Sequence, residues 1–149
     1  MSKIKNRAAG QSLFELLVAL AVTVLIVTGI VKIVTLSVAN STFAKNQSAA
    51  TRFGQEAFEW LRGEKDKDWE AFSNRSDVSW CLPTIAWPSQ PGPCSADNKI
   101  AGTPFTREAS LSTLEVGKIQ VLVRVSWEDS RGEHSSRTDT VFTNWRGTP

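Results

Sequence analysis

The sequence predicts an α+β fold: a long N-terminal α-helix, membrane-embedded over its first half, packed against a C-terminal antiparallel β-sheet of about three strands. Three observations carry that expectation. Residues Leu13 to Val31 are apolar or uncharged except for one carboxylate, Glu15. A helical apolar stripe continues past that tract as far as Leu61. From Phe105 onward the apolar period changes to two.

Residues 1–10, MSKIKNRAAG, form a short basic leader. The tract that follows would be about 28 Å long as a helix, close to the hydrocarbon thickness of a bilayer. Lys3, Lys5 and Arg7 before it hold the N-terminus on the cytoplasmic side and send the C-terminal body outward. Lys32 marks the outer membrane–water boundary, where its stem can snorkel. Gly29 lends the tract some flexibility.

Beyond the tract, Leu36, Phe43, Ala50, Ala57 and Leu61 recur at near-heptad spacing, flanked by Phe53 and Trp60. Lys45, Gln55, Glu59 and Arg62 fall on the other face. Such a helix is amphipathic and needs an apolar partner. Gly63 is the expected terminator, which sets a helix over residues 11–63. From Leu13 to Arg62 it would measure about 75 Å, far beyond a typical globular helix.

Residues 64–104 read as a connecting region, with a short helical turn around Trp69 and Phe72. Residues 105–149 read as the sheet. Phe105, Arg107, Ala109 and Leu111 alternate weakly with polar residues. Lys118 to Trp127 is the clearest strand: Ile119, Val121, Val123, Val125 and Trp127 face one way. Glu128 to Glu133 is a turn, and Thr138 to Trp145 the returning strand.

The chain of 149 residues suffices for one domain plus an anchor. Its formal charge of +2 belongs to the leader; without Lys3, Lys5 and Arg7 it is −1. The body therefore has no nucleic-acid footprint by charge. Cys81 and Cys94 are the only cysteines, and a close pair in an exported chain favours one disulfide over two free thiols. With a single histidine, His134, no zinc site and no Ser/His/Asp or Cys/His constellation is expected. His134 reads as solvated. Glu128, Asp129 and Glu133 lack the EF-hand pattern for calcium. Six Trp with no Tyr read chiefly as core or interface, with glycan stacking on Trp87 the weaker alternative. No catalytic residue and no cofactor is expected, and an enzyme is the least supported class.

The junction Gly10-Gln11-Ser12-Leu13-Phe14-Glu15 and the tract behind it resemble the class III signal of type IV pilins and type II secretion pseudopilins. The resemblance covers the first third of the chain tightly and the rest in layout. It implies cleavage after Gly10 by a prepilin peptidase, so that the mature chain starts at Gln11 and Glu15 falls at its fifth position. It also implies methylation of the mature amine, although Gln11 departs from the family's usual Phe or Met. Glu15 would pair with the N-terminal amine of an adjacent subunit during filament assembly. The implied partners are the peptidase, other pilin subunits, an inner-membrane assembly platform, and membrane lipid before assembly. The implied location is the cytoplasmic membrane, then a surface or periplasmic filament. Gln11, the Trp-rich head and Lys32, where many major pilins have Pro, favour a minor pilin or pseudopilin. The competing expectation is a secreted soluble β-rich binding domain, released by ordinary signal peptidase after Ala39 in Ser37-Val38-Ala39. A third is a single-pass anchored sensor or adhesin, which leaves Glu15 unexplained.

Overall fold

The structure, a computed structural model, describes residues 9–145, with side chains from residue 13 to residue 145. The leader therefore lies outside the described residues, apart from the backbone of Ala9 and Gly10. The chain forms two compact units, one ending at Phe43 and one beginning at Ala44. The element order is α1 (Ala9–Lys67), α2 (Trp69–Ser73), β1 (Val78–Cys81), β2 (Thr106–Glu115), β3 (Lys118–Asp129) and β4 (Gly132–Thr143). The α+β class is as expected, with a fourth strand added.

Helix α1 does not stop at Gly63 but runs to Lys67. Two forces outweigh the glycine. Lys65 and Lys67 lie in the last turn, where cations complement the helix dipole, and Lys67 Nζ pairs with Glu64 at 2.7 Å. The break comes at Asp68, whose backbone is extended (φ −153°) and whose side chain accepts from Ala71 N at 2.9 Å to cap α2. Gly63 thus sits inside a helix, and a Cβ there would meet nothing within 4 Å. Gly63→Ala is expected to stabilise the second unit by about 1 kcal/mol, because only the unfolded chain loses freedom. Thermal unfolding followed by tryptophan fluorescence checks this; an unchanged or lowered midpoint would contradict it.

The four strands form one antiparallel meander, ordered β1-β2-β3-β4. Its apolar face carries Ile119, Val121, Val123, Val125 and Trp127, each at most 2% exposed, as the alternation predicts. Ala109 and Leu111 on β2 and Phe142 on β4 extend it. The second-unit part of α1 covers this face with Ala50, Gly54, Ala57, Phe58 and Leu61. Gly54 faces Val125 here: a Cβ on it would stand in ordinary contact, 3.9 Å from Val125 Cγ2. Leu36 does not join the stripe; it belongs to the first unit and is exposed.

Two strand boundaries differ from expectation. β1 lies within the region read as a connection. It is four residues long, too short for periodicity to register. β4 begins at Gly132 rather than Thr138, and the turn shrinks to Ser130 and Arg131. Residues 132–137 are polar on both faces. They belong to an edge strand held by its ladder to β3 rather than by burial. Gly132 supplies φ +114° as the chain turns back.

Candidate functional site

From Leu13 to Val38 the first unit is an exposed apolar helix. Its most apolar stretch has a mean hydropathy of 2.7, none of it covered by the rest of the chain, and the helix is long and apolar enough to cross a membrane. Three of its hydroxyls are satisfied within the helix. Thr23, Thr28 and Thr35 each return the hydroxyl to a main-chain carbonyl one turn back, at 2.8, 2.8 and 3.1 Å. Glu15 has no such outlet. It stands exposed beside Phe14, Val18 and Ala19, and among the described residues no cation pairs with it. Gly10 and Gln11 fall in the first turn of α1, and the side chain of Gln11 lies outside the described residues.

In the second unit a buried cation fastens helix to sheet. Arg107 occupies an inward position of β2, between the alternating apolar residues, and is 1% exposed. Its Nη1 donates to Glu56 Oε2 at 2.7 Å and to the carbonyl of Phe53 at 3.2 Å, both on α1. Its Nε donates to the carbonyl of Leu82 at 3.1 Å, just past β1. One guanidinium thereby joins three segments that are distant in sequence. Sequence reasoning placed Arg107 on the strand but missed this task; the signal was a charge on the inward face.

Cys81 and Cys94 form the expected disulfide, with Cα atoms 4.8 Å apart. In the chain-entropy model a loop of this size is worth roughly 3 kcal/mol. The loop folds back on the sheet: Gly92 N donates to Ser79 O at 2.8 Å, and Cys94 N to Glu108 Oε2 at 3.0 Å. It also delivers Trp87 into an aromatic cluster. The Trp87 ring lies 4.9 Å from Trp60, 5.2 Å from Trp80 and 6.2 Å from Phe72, with the Arg75 guanidinium 4.5 Å over its face. Its Nε1 donates to Glu64 Oε2 at 2.8 Å. The Glu64 carboxyl is held below its usual range, first by the hydrogen bond from Lys67 and, against the opposing effect of burial, by that from Trp87. Trp87 is thus a packing residue that ties the loop to the end of α1.

His134 is not a simple solvated side chain. Its ring stacks on Trp127 at 5.4 Å, and its Nε2 is 2.9 Å from Asp129 Oδ1. Asp129 also accepts from Arg131 N at 2.7 Å, closing the β3–β4 turn. At the other end, Asp77, whose φ of +63° is left-handed, accepts from Thr113 N and Oγ1 at 2.9 and 3.0 Å. Both carboxyls are held below the ordinary value of 3.8, Asp129 chiefly by the Arg131 amide and then by His134, Asp77 chiefly by the Thr113 amide and then its hydroxyl. A carboxyl with a lowered folded pKa adds stability above its unfolded pKa and loses it as pH falls through the folded one. The second unit is therefore expected to hold these contributions at neutral pH and lose them below about pH 4. Thermal midpoints across that range check this. Asp77→Asn with Asp129→Asn should flatten the acid limb, and an unchanged limb would refute the assignment.

Among the described residues, no group of three His, Cys, Asp or Glu side chains converges as a metal site. The calcium candidates separate because strand neighbours alternate: Glu128 and Glu133 share the outer face, while Asp129 is turned to Arg131 and His134. An open groove of about 370 Å³ lies between the disulfide loop and the β3–β4 hairpin, with Lys99, Ser126, Glu128 and Glu133 in its wall. Comparison with protein-family models, curated proteins and solved structures finds no match to this chain.

Proposed function

We propose that this chain is a structural subunit, a minor pilin or pseudopilin, of a type IV pilus-like filament. It would be cleaved after Gly10 by a prepilin peptidase and assembled through its apolar helix. The observation that carries this reading is Glu15: an exposed carboxylate near the start of a membrane-length apolar helix. In hydrocarbon such a charge costs a few kcal/mol. A positive amine at Gln11 of a neighbouring copy is the partner that removes that cost and fixes subunit register. The same helix surface that faces lipid in the stored form would face other copies in the filament, where close packing replaces lipid contact.

The second unit contributes a disulfide-closed head on the continuing helix. The partners of this reading are the peptidase, an inner-membrane assembly platform and other pilin subunits. The location is the cytoplasmic membrane, N-terminus inside, and then a surface or periplasmic filament. No chemistry is assigned to the head.

Intact mass and the N-terminal peptide of the protein from its native membrane or sheared surface fraction test the reading. A chain starting at Gln11, with or without a methyl group, supports it. A chain starting at Asn40 overturns it in favour of a secreted β-rich domain, and an uncut chain overturns it in favour of a simple anchor.

A further inference from the structure

The face of the sheet turned away from α1 carries two rungs of like charge. Arg124 on β3 stands directly opposite Arg137 on β4, and Glu128 opposite Glu133. Both arrangements weaken a sheet unless something compensates them. Among the described residues no close ion pair does so, although Glu108 on β2 and Asp139 on β4 share the face with the two arginines. No carboxylate lies within 4 Å of either arginine, and no cation within 4 Å of either glutamate, although Lys99 lines the same groove as the glutamates. Glu108, the carboxylate across from Arg124 on β2, gives its Oε2 to the Cys94 amide instead. Arg124 is part-buried, and its Nε is cut off from solvent with no acceptor. Buried donors of this kind are rare in folded proteins. A guanidinium already stripped of part of its water has less to lose when a carboxylate reaches it.

We propose that the outer face is a contact between copies of this chain, in which the arginine rung of one copy receives the glutamate rung of a second copy. The two rungs are separated by Ser126 and Ser135, and Ser126 lines the groove beside Cys94 and Ser95. Along the strand the separation is four residues, about 13 Å. Turning a second copy half a revolution about the strand axis, and sliding it by that length, sets Arg124 over the partner copy's glutamate on β4 and Arg137 over its glutamate on β3. Both copies keep the same strand direction. The joined patches differ, so the contact is heterologous. It rests on the filament reading, which brings copies of the chain side by side.

The test uses full-length chains in their native membrane. Co-expressed Arg137→Cys and Glu128→Cys chains should form a mixed crosslinked dimer, while Arg137→Cys alone should not crosslink to itself. Arg124→Glu with Arg137→Glu should cut incorporation at least tenfold, and so should Glu128→Arg with Glu133→Arg. Reversing both rungs in one chain should restore it. Tryptophan fluorescence shows that each variant remains folded. Absence of the mixed crosslink, or failure of the double reversal to rescue, would overturn the contact. Loss on the arginine swap with a silent glutamate swap would overturn the second copy as occupant and indicate another acidic partner. A chain starting at Gln11 without the crosslink fails this contact alone. A chain starting at Asn40 with the crosslink fails the filament reading alone.

Discussion

Arg107→Ala is expected to destabilise the second unit by about 3–5 kcal/mol, the range found when one partner of a buried, hydrogen-bonded charge is removed. Arg107 is 1% exposed, so truncation leaves a void as well as three unmade hydrogen bonds. The three acceptors do not weigh equally. Glu56 is half exposed and regains water. Phe53 O lies within α1, where the helix ladder offers it a second donor. Leu82 O lies outside any helix or strand, on a fully buried residue, and is the acceptor whose loss costs most. Glu56→Gln keeps an acceptor within reach and is expected to cost under about 1 kcal/mol. All six tryptophans lie beyond residue 44, so their fluorescence reports unfolding of the second unit without interference from the apolar helix. Against a typical domain stability of roughly 5–15 kcal/mol, the alanine variant should lose ten degrees or more of thermal midpoint. A shift of two or three degrees would show that the clamp is dispensable.

The contrast between Arg107 and its neighbours explains what was legible in the sequence. From Ile119 to Trp127 the apolar alternation is broken only by Leu122, because a strand with one buried face must alternate, and Ile119, Val121, Val123, Val125 and Trp127 are buried as read. The apolar tract and the cysteine pair were legible for similarly simple reasons, length in one case and parity in the other. β1 was missed because four residues hold too little period, and the first half of β4 because an edge strand has no apolar face to display. Gly63 was misread as a stop. Its helix-breaking tendency is about 1 kcal/mol, which the Glu64–Lys67 pair and the cationic last turn can offset. The partners of Arg107, Trp87 and His134 were not legible at all. Those of Arg107 and Trp87 come together only through the placement of the sheet and the disulfide loop against α1, and those of His134 only through the β3–β4 register.

Glu15→Val is expected to leave membrane insertion and processing intact and to reduce filament incorporation by tenfold or more. The substitution makes the helix more apolar, so storage in the membrane should improve, since an ionised side chain within hydrocarbon costs a few kcal/mol. If the carboxylate served only the single chain, its removal would be neutral or beneficial. Loss of assembly is therefore the outcome that only an intermolecular role explains. The helix surface around it argues the same way: the threonines satisfy their hydroxyls internally, while Glu15 stands exposed beside Phe14, Val18 and Ala19 with its charge unmet by any described cation. Pairing with an amine at Gln11 of a neighbour would be weakly screened between packed helices and steep in distance, which selects one register among many near-equivalent apolar packings. Glu15→Asp, one methylene shorter, should retain processing and recover part of the incorporation. Quantifying mature chain in sheared filaments against mature chain in the membrane separates these cases. Equal incorporation of wild type and Glu15→Val would remove the assembly role of Glu15 and leave the apolar helix as an anchor.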